Sequence, residues 1–223
     1  MTHLKRINAP KSWLVERKAN AFIAKPLPGP HKLKESMPLG VILREILKVG
    51  NKKREIRIIL SNKEVLVNNK LRKEFRFPVG ILDTLSIPKL NKYYKIVYNT
   101  KGNLTLSEIS KEESIEKTCK IIGKTILKKG KMQLNLYDGT NLIINKNEFK
   151  VRDSVVLKDN KIVKHLKFEK NALVYLIGGK HIGTKGTLID VKKFPGISKD
   201  VLVVNIDEKT HETLADYAYV LEK

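Results

Sequence analysis

"LVYLIGGKHIGTKGTLIDV", residues 173–191, sets two short apolar runs, rich in β-branched residues, around a glycine-rich basic loop. A Walker-type phosphate loop needs G-x-x-x-x-G-K-[ST] between a strand and a helix, whose N-terminus faces the nucleotide. Gly178 and Gly183 have that separation, but Thr184 occupies the lysine position and Lys185 comes one residue late. The run after the loop, "TLIDV", has a strand pattern, so no helix dipole is supplied. The loop therefore reads as a turn joining two strands, with Lys180, His181 and Lys185 projecting from it. Its glycines permit tight turns and positive φ, and are expected to leave backbone open to a ligand. With "DVLVVNID" and "YAYVL" this segment gives about five short strands, enough for a small barrel.

Charge narrows the function. The 223 residues carry 45 Lys+Arg against 23 Asp+Glu, a formal net charge of +22. A surplus of that size opposes compaction and asks for a polyanionic partner, nucleic acid before an anionic membrane. A merely heat-adapted surface would balance Lys with Glu. The membrane reading fails because there is no apolar run near about 18 residues, no lipidation motif and no amphipathic helix with a Trp/Phe/Leu face. A secretory signal is also absent. The single cysteine, Cys119, excludes an intramolecular disulfide, suggests a reducing compartment and reads as a small buried hydrophobe. His3, His31, His165, His181 and His211 are scattered without metal-ligand spacing. No metal, cofactor or small-molecule substrate is expected.

Residues 1–37 form a basic arm interrupted by Pro10, Pro26, Pro28, Gly29 and Pro30. Composition alone would make it a solvated tail. Trp13, Leu14 and Phe22 point instead to an arm that orders on its partner. From Pro38, "PLGVILREILK" places Leu39, Ile42, Leu43, Ile46 and Leu47 at helical spacing, up to a stop at Gly50. Asn51 can cap a second helix, "KKREIRIIL", whose apolar stripe is Ile56, Ile59 and Leu60 and whose opposite face carries Lys52, Lys53, Arg54 and Arg57. "EVLV", a turn at "NNK" able to accept positive φ, "LRKEFRF" and "TLSI" complete a unit over 38–91. Residues 92–169 read as β-rich, with hairpins around Lys101-Gly102, around Asp138-Gly139 as a type I′ turn, and in "VVLKDNKIVKHLKF". Ser110 to Glu113 has the capping-box pattern and starts a short helix ending near Cys119.

Two helices followed by "VLVNNK" and "FPVGILDTLSI" resemble the S-four-type RNA-binding module. That resemblance implies an RNA face of Lys52, Lys53, Arg54, Arg57, Asn68, Asn69, Lys70 and Arg72. The usual Gly-Asp pair before the last strand is replaced here by Gly80, Ile81, Leu82 and Asp83. Gly179, Gly183 and Gly186 after an apolar strand resemble the KOW motif, which implies a barrel over 170–223 and RNA contacts at Lys180, His181, Thr184 and Lys185. Together with "HLKRINAPKSW" and "PGPHKL", this order resembles the e-type small-subunit ribosomal protein four family of archaea and eukaryotes over essentially the whole chain.

The resemblance implies an α+β, mostly β fold: a basic arm (1–37), an S-four-type module (38–91), a central β-rich domain (92–169) and a KOW SH3-like barrel (170–223). It implies a cytoplasmic, non-enzymatic constituent of the small ribosomal subunit, with small-subunit ribosomal RNA and neighbouring ribosomal proteins as partners. Further RNA contacts are expected in the arm at Lys5, Arg6, Lys11, Trp13, His31, Lys32 and Lys34, with unstacked bases near Trp13 or tyrosine side chains. One competing reading is a free RNA-binding or transcription factor, which predicts less charge and no arm. The other is an RNA-modifying enzyme, whose candidate nucleophile, Asp83, lies inside the module's own last strand.

Overall fold

Short runs of alternating apolar and polar residues dominate the chain, and they give a mostly β structure with a few short helices, an α+β arrangement. The computed structural model describes residues 3–145, 148–194 and 199–222. The chain divides into two compact units, Met1–Val97 with Asn103–Lys117, and Tyr98–Gly102 with Thr118–Lys223.

Strands of the first unit are, in chain order, β1 (Leu4–Lys5), β2 (Phe22–Ile23), β3 (Ser36–Pro38), β4 (Leu66–Val67), β5 (Lys70–Leu71), β6 (Pro78–Gly80), β7 (Thr84–Ile87), β8 (Lys92–Tyr98) and β9 (Leu104–Glu108). They form two two-stranded ribbons, β1-β2 and β3-β6, and a sheet ordered β5-β4-β7-β8-β9. Asn68 and Asn69, both at positive φ (51° and 61°), make the two-residue turn between β4 and β5 that the sequence anticipates.

The first helix begins as α1 (Leu39–Val41) and continues as a π turn over Ile42–Ile46, where Leu47 N–H donates to Ile42 O at 3.0 Å. Leu39, Val41, Ile42 and Leu43 are buried, so this helix forms core. In α2 (Lys53–Ser61) the buried residues are Ile56 and Leu60. Each contributes roughly 1.5–3 kcal/mol through removal from water. The expected cap, Asn51, is displaced: the Glu55 carboxylate accepts from the backbone N–H groups of Asn51 (2.9 Å) and Lys52 (3.1 Å). An acid in the first turn satisfies two orphan donors and complements the helix dipole.

At α3 (Lys111–Ile115), Ser110 Oγ accepts from Glu113 N–H at 3.2 Å, the cap its sequence pattern predicts. The helix stops at Ile115, and Cys119 lies instead on the following strand, buried.

Two five-stranded antiparallel sheets make up the second unit. In the first, β10 (Lys117–Ile126), β11 (Met132–Leu136), β12 (Asn141–Ile144), β13 (Ser154–Lys158) and β14 (Lys161–Leu166) are ordered β12-β11-β10-β13-β14 over a core of Cys119, Ile121, Leu134, Leu136, Val155 and Leu157. In the second, β15 (Leu173–Leu176), β16 (Lys185–Lys192), β17 (Val201–Ile206), β18 (Lys209–Leu214) and β19 (Ala218–Val220) are ordered β18-β17-β16-β15-β19. Leu176, Leu188, Leu202, Val204 and Ala218 are among the residues that close its core. Lys120, on β10, is buried and donates through Nζ to the carbonyls of Ala215 (3.3 Å), Asp216 (2.9 Å) and Ala218 (2.8 Å). Burial pushes its pKa down to about 8, with the Asp216 carboxylate opposing and Arg152 reinforcing that shift.

One turn differs from its sequence reading. A type I′ turn at Asp138-Gly139 needs positive φ at both residues, whereas only Gly139 has it (77°). Leu136 N–H donates to Thr140 O and Gly139 N–H to Leu136 O, both at 3.0 Å, so the loop has three residues with Gly139 in the left-handed position. The Asp138 carboxylate accepts from Thr140 N–H at 3.0 Å and from its hydroxyl, which ties that residue down. The paired positive φ values occur in the next hairpin, at Asp159 (49°) and Asn160 (64°).

Candidate nucleic-acid interface

In the first unit, a helix that buries only Ile56 and Leu60 must turn its remaining residues outward. Lys52, Lys53, Arg54 and Arg57 are all exposed, so the helix turns four cations outward, with the Glu55 carboxylate among them. Lys53 Nζ sits 5.5 Å from the centroid of the Phe75 ring. In the β4–β5 turn, Asn69 and Lys70 are exposed. Arg72 is half-buried, with its guanidinium 4.3 Å from the Phe77 ring centroid, a cation–π contact that fixes its plane. Asn68 serves the fold instead. Its amide donates to Asp83 Oδ1 (2.8 Å) and accepts from Thr84 N–H (2.9 Å), so both ends are committed.

Of the residues expected to touch RNA from the first segment, Lys5, Lys11, Lys32 and Lys34 are exposed. Arg6, Trp13 and His31 are not, and their assignment as RNA contacts is corrected. Arg6 is buried and forks onto Glu45, with Nη1 donating to Oε1 at 2.9 Å and Nη2 paired with Oε2, while its Nε donates to Glu16 O. A carboxylate placed against a guanidinium neutralises it as a phosphate ligand. Trp13 is 2% exposed, bridges to Leu104 and donates its indole N–H to Ser36 O at 2.7 Å, so its ring is no platform for a base. Of the apolar residues expected to order on a partner, Trp13 packs within the chain while Leu14 and Phe22 remain exposed.

His31 lies in the interior because Gly80 leaves room for it: a Cβ at Gly80 would come within 2.3 Å of the imidazole. Its Nε2 is 2.8 Å from Asp83 Oδ2. Asp83 also accepts from Gly80 N–H (2.9 Å), Asn68 Nδ2 (2.8 Å) and Lys117 Nζ (2.8 Å). These four donors use the capacity of a carboxylate. Burial alone would raise the Asp83 pKa, but Lys117 and His31 hold it well below the usual carboxylate range. The departure from the Gly-Asp pattern noticed in the sequence is thus the knot of the unit, and Asp83 is unreachable for a nucleophile's role.

In the second unit, the loop after β15 runs directly into β16, with no helix behind it. Lys180 and Lys185 are exposed; His181 and Thr184 are half-buried. Thr184 Oγ1 donates to His181 O at 2.7 Å, which shapes the turn. Gly179 and Gly183 have φ of 83° and 81°. The expectation that these glycines leave backbone open to a ligand is corrected at Gly183 and Gly186, while Gly179 is exposed. A Cβ would meet Asn99 O at 2.4 Å from Gly183, Asn205 O at 2.6 Å from Gly186 and the Tyr217 ring at 2.7 Å from Gly178. The chain's own atoms fill that space. His211, which sequence reasoning passed over, stacks on His181 with ring centroids 4.1 Å apart. Partial burial first, then His211 and Lys180, push the His181 pKa below its ordinary value.

Among the described residues no cluster of three or more His, Cys, Asp or Glu is placed to hold a metal ion, and no helix is long and apolar enough to cross a membrane. What the exposed residues offer is two sets of cations on separate units, chemistry suited to phosphate and not to bond breaking.

Comparison with known proteins gives a family. Residues 90–162 match the family described as Ribosomal family S4e, and residues 2–34 match the RS4NT (NUC023) domain. The small ribosomal subunit proteins eS4 of Methanocella arvoryzae and Archaeoglobus fulgidus are each 40% identical to the chain across 99% of its length, covering 94% and 93% of their own. The crystal structure of the 30S ribosomal protein S4e from Thermoplasma acidophilum is 30% identical and matches with a TM-score of 0.72, over 84% of this chain and 95% of that one. The whole-chain likeness, arm included, therefore makes this chain a member of the ribosomal S4e family.

Proposed function

We propose that the protein is a structural constituent of the small ribosomal subunit in the cytoplasm, holding small-subunit ribosomal RNA and neighbouring ribosomal proteins, with no catalytic step of its own. The observation that carries this is the near full-length identity to proteins named for that subunit, joined to a net charge of +22. Within this reading, residues 38–91 act as an S-four-type module whose RNA face is Lys52, Lys53, Arg54, Arg57, Asn69, Lys70 and Arg72. The central domain expected over 92–169 keeps only its part from Thr118 onward, because β8, β9 and α3 belong to the first unit, and 170–223 act as a KOW-type barrel reaching RNA through Lys180, His181, Thr184 and Lys185. The arm, 1–37, contributes Lys5, Lys11, Lys32 and Lys34. Such contacts fix position by neutralising phosphate, and each steepens the salt dependence of binding by about 0.7–0.9 in log–log slope.

The rival enzyme reading loses its candidate nucleophile, because Asp83 is fully buried. The test is sucrose-gradient sedimentation of the tagged protein from its native lysate at low and high salt, following small-subunit RNA. Co-migration that survives high salt is expected; a peak at the top of the gradient at both salts would overturn the proposal.

A further inference from the structure

Phe22, on β2, leaves 58% of its surface in water, while its neighbour Ile23 packs into the core. A single exposed aromatic is ordinary, and by itself would carry nothing. Phe22, however, lines a cleft of about 340 Å³ in the first unit together with Lys25, Arg44, Lys53 and Arg76, and among the described residues no carboxylate lines it. His3 meets the Phe22 ring at a centroid distance of 5.9 Å and closes the same wall.

Several of these side chains are held in place. Arg76 Nε donates to Lys25 O at 2.7 Å. Arg44 is paired with Glu45 at 2.6 Å, which offsets its charge and leaves it to shape the wall, and Lys53 stands over the buried Phe75 ring. The cleft thus combines an apolar ring plane with a rim of positive charge. A duplex offers its phosphates but hides its base faces, so it would use only the rim. An unstacked nucleotide offers both a π-face and a phosphate.

We infer that this cleft receives one unstacked RNA nucleotide, its base on Phe22 and its phosphate among Lys25, Lys53 and Arg76. The inference rests on the RNA-binding reading above and adds to it a place where the protein distinguishes a bulged or looped nucleotide from paired RNA. Basic contacts elsewhere on the chain carry no such preference, because phosphate alone does not report whether a base is stacked.

The experiment uses the full chain and two RNAs of one sequence, one fully paired and one with a single bulged nucleotide bearing 4-thiouridine. The parent protein is expected to prefer the bulged RNA by roughly tenfold, within the range of one base–aromatic stack. Phe22→Ala should abolish that preference while leaving duplex affinity and the salt slope unchanged, and Phe22→Trp should keep it. Photocrosslinks from the bulge should map to the peptide containing Phe22. An unchanged preference in Phe22→Ala, with crosslinks elsewhere, would overturn the inference and leave Phe22 to a protein neighbour. Binding of the parent to neither RNA at low salt would instead sink the RNA-binding reading itself.

Discussion

His31 Nε2 lies 2.8 Å from Asp83 Oδ2, with both side chains withdrawn from solvent and 52 positions apart in the chain. The pair joins the loop before β3 to the start of β7, and Lys117, the last residue of the first unit, completes it. Replacing Asp83 by Asn keeps the shape but leaves Lys117 without its counter-charge and His31 without its carboxylate partner. Breaking a buried pair in this way costs about 3–5 kcal/mol, so urea denaturation of Asp83→Asn should show a midpoint far below that of the parent. The pH dependence follows from the lowered Asp83 pKa. The unfolded carboxyl takes up its proton near the ordinary value of 3.8, while the folded one resists until more acid conditions. This contribution is fully present above that value and is lost as pH falls through and below it, so acid unfolding should begin at a higher pH in Asp83→Asn.

The exposed basic face of α2 makes a prediction of opposite kind. Neutralising Lys52, Lys53, Arg54 and Arg57 together to Gln removes charge without removing core, because Ile56 and Leu60 carry the packing. Affinity for small-subunit ribosomal RNA should fall, and the salt slope should flatten by about 0.7–0.9 for each phosphate no longer neutralised. The thermal midpoint should stay within a few degrees of the parent. Equal RNA affinity at moderate salt would remove this face from the interface.

Local chemistry made much of this structure legible. The apolar stripe of α2, the Ser110 cap, the paired asparagines of the β4–β5 turn and the strand–loop–strand reading of 173–191 each depend on residues a few positions apart. Contacts across the chain were not legible. A basic segment with one tryptophan reads the same whether its ring meets RNA or Leu104, and nothing near His31 in sequence announces Asp83. Arg6 misled for the same reason, since its neutralising partner, Glu45, is 39 positions away. The turn at Asp138-Gly139 failed at short range, because loop length is set by where the flanking strands close their ladder, here at Leu136 and Thr140.

Two glycines with nearly equal φ should respond unequally to alanine. Gly139 has φ of 77°, and a Cβ added there would meet nothing within 4 Å, so Gly139→Ala carries only the left-handed backbone cost of about 1–2 kcal/mol. Gly183 has φ of 81° and would also drive its Cβ to 2.4 Å from the Asn99 carbonyl. Backbone there cannot swing aside as a side-chain tip can. Gly183→Ala should therefore lower stability by clearly more than Gly139→Ala in denaturant unfolding. Equal losses would mean that the approach at Asn99 relaxes freely.

Trp13 is the chain's one tryptophan, which makes its emission a clean report on a single site. A ring that is 2% exposed and donates to Ser36 O should emit at short wavelength and resist iodide quenching in the free protein. Because the ring faces the chain and not the solvent, saturating RNA should leave both its emission maximum and its quenching nearly unchanged. Trp13→Ala should cost about 3–5 kcal/mol as a large core truncation, and Trp13→Phe less, through the unpaired Ser36 carbonyl. A large quench on adding RNA would show the indole leaving Ser36 to stack on a base, and would restore the role that the sequence suggests for it.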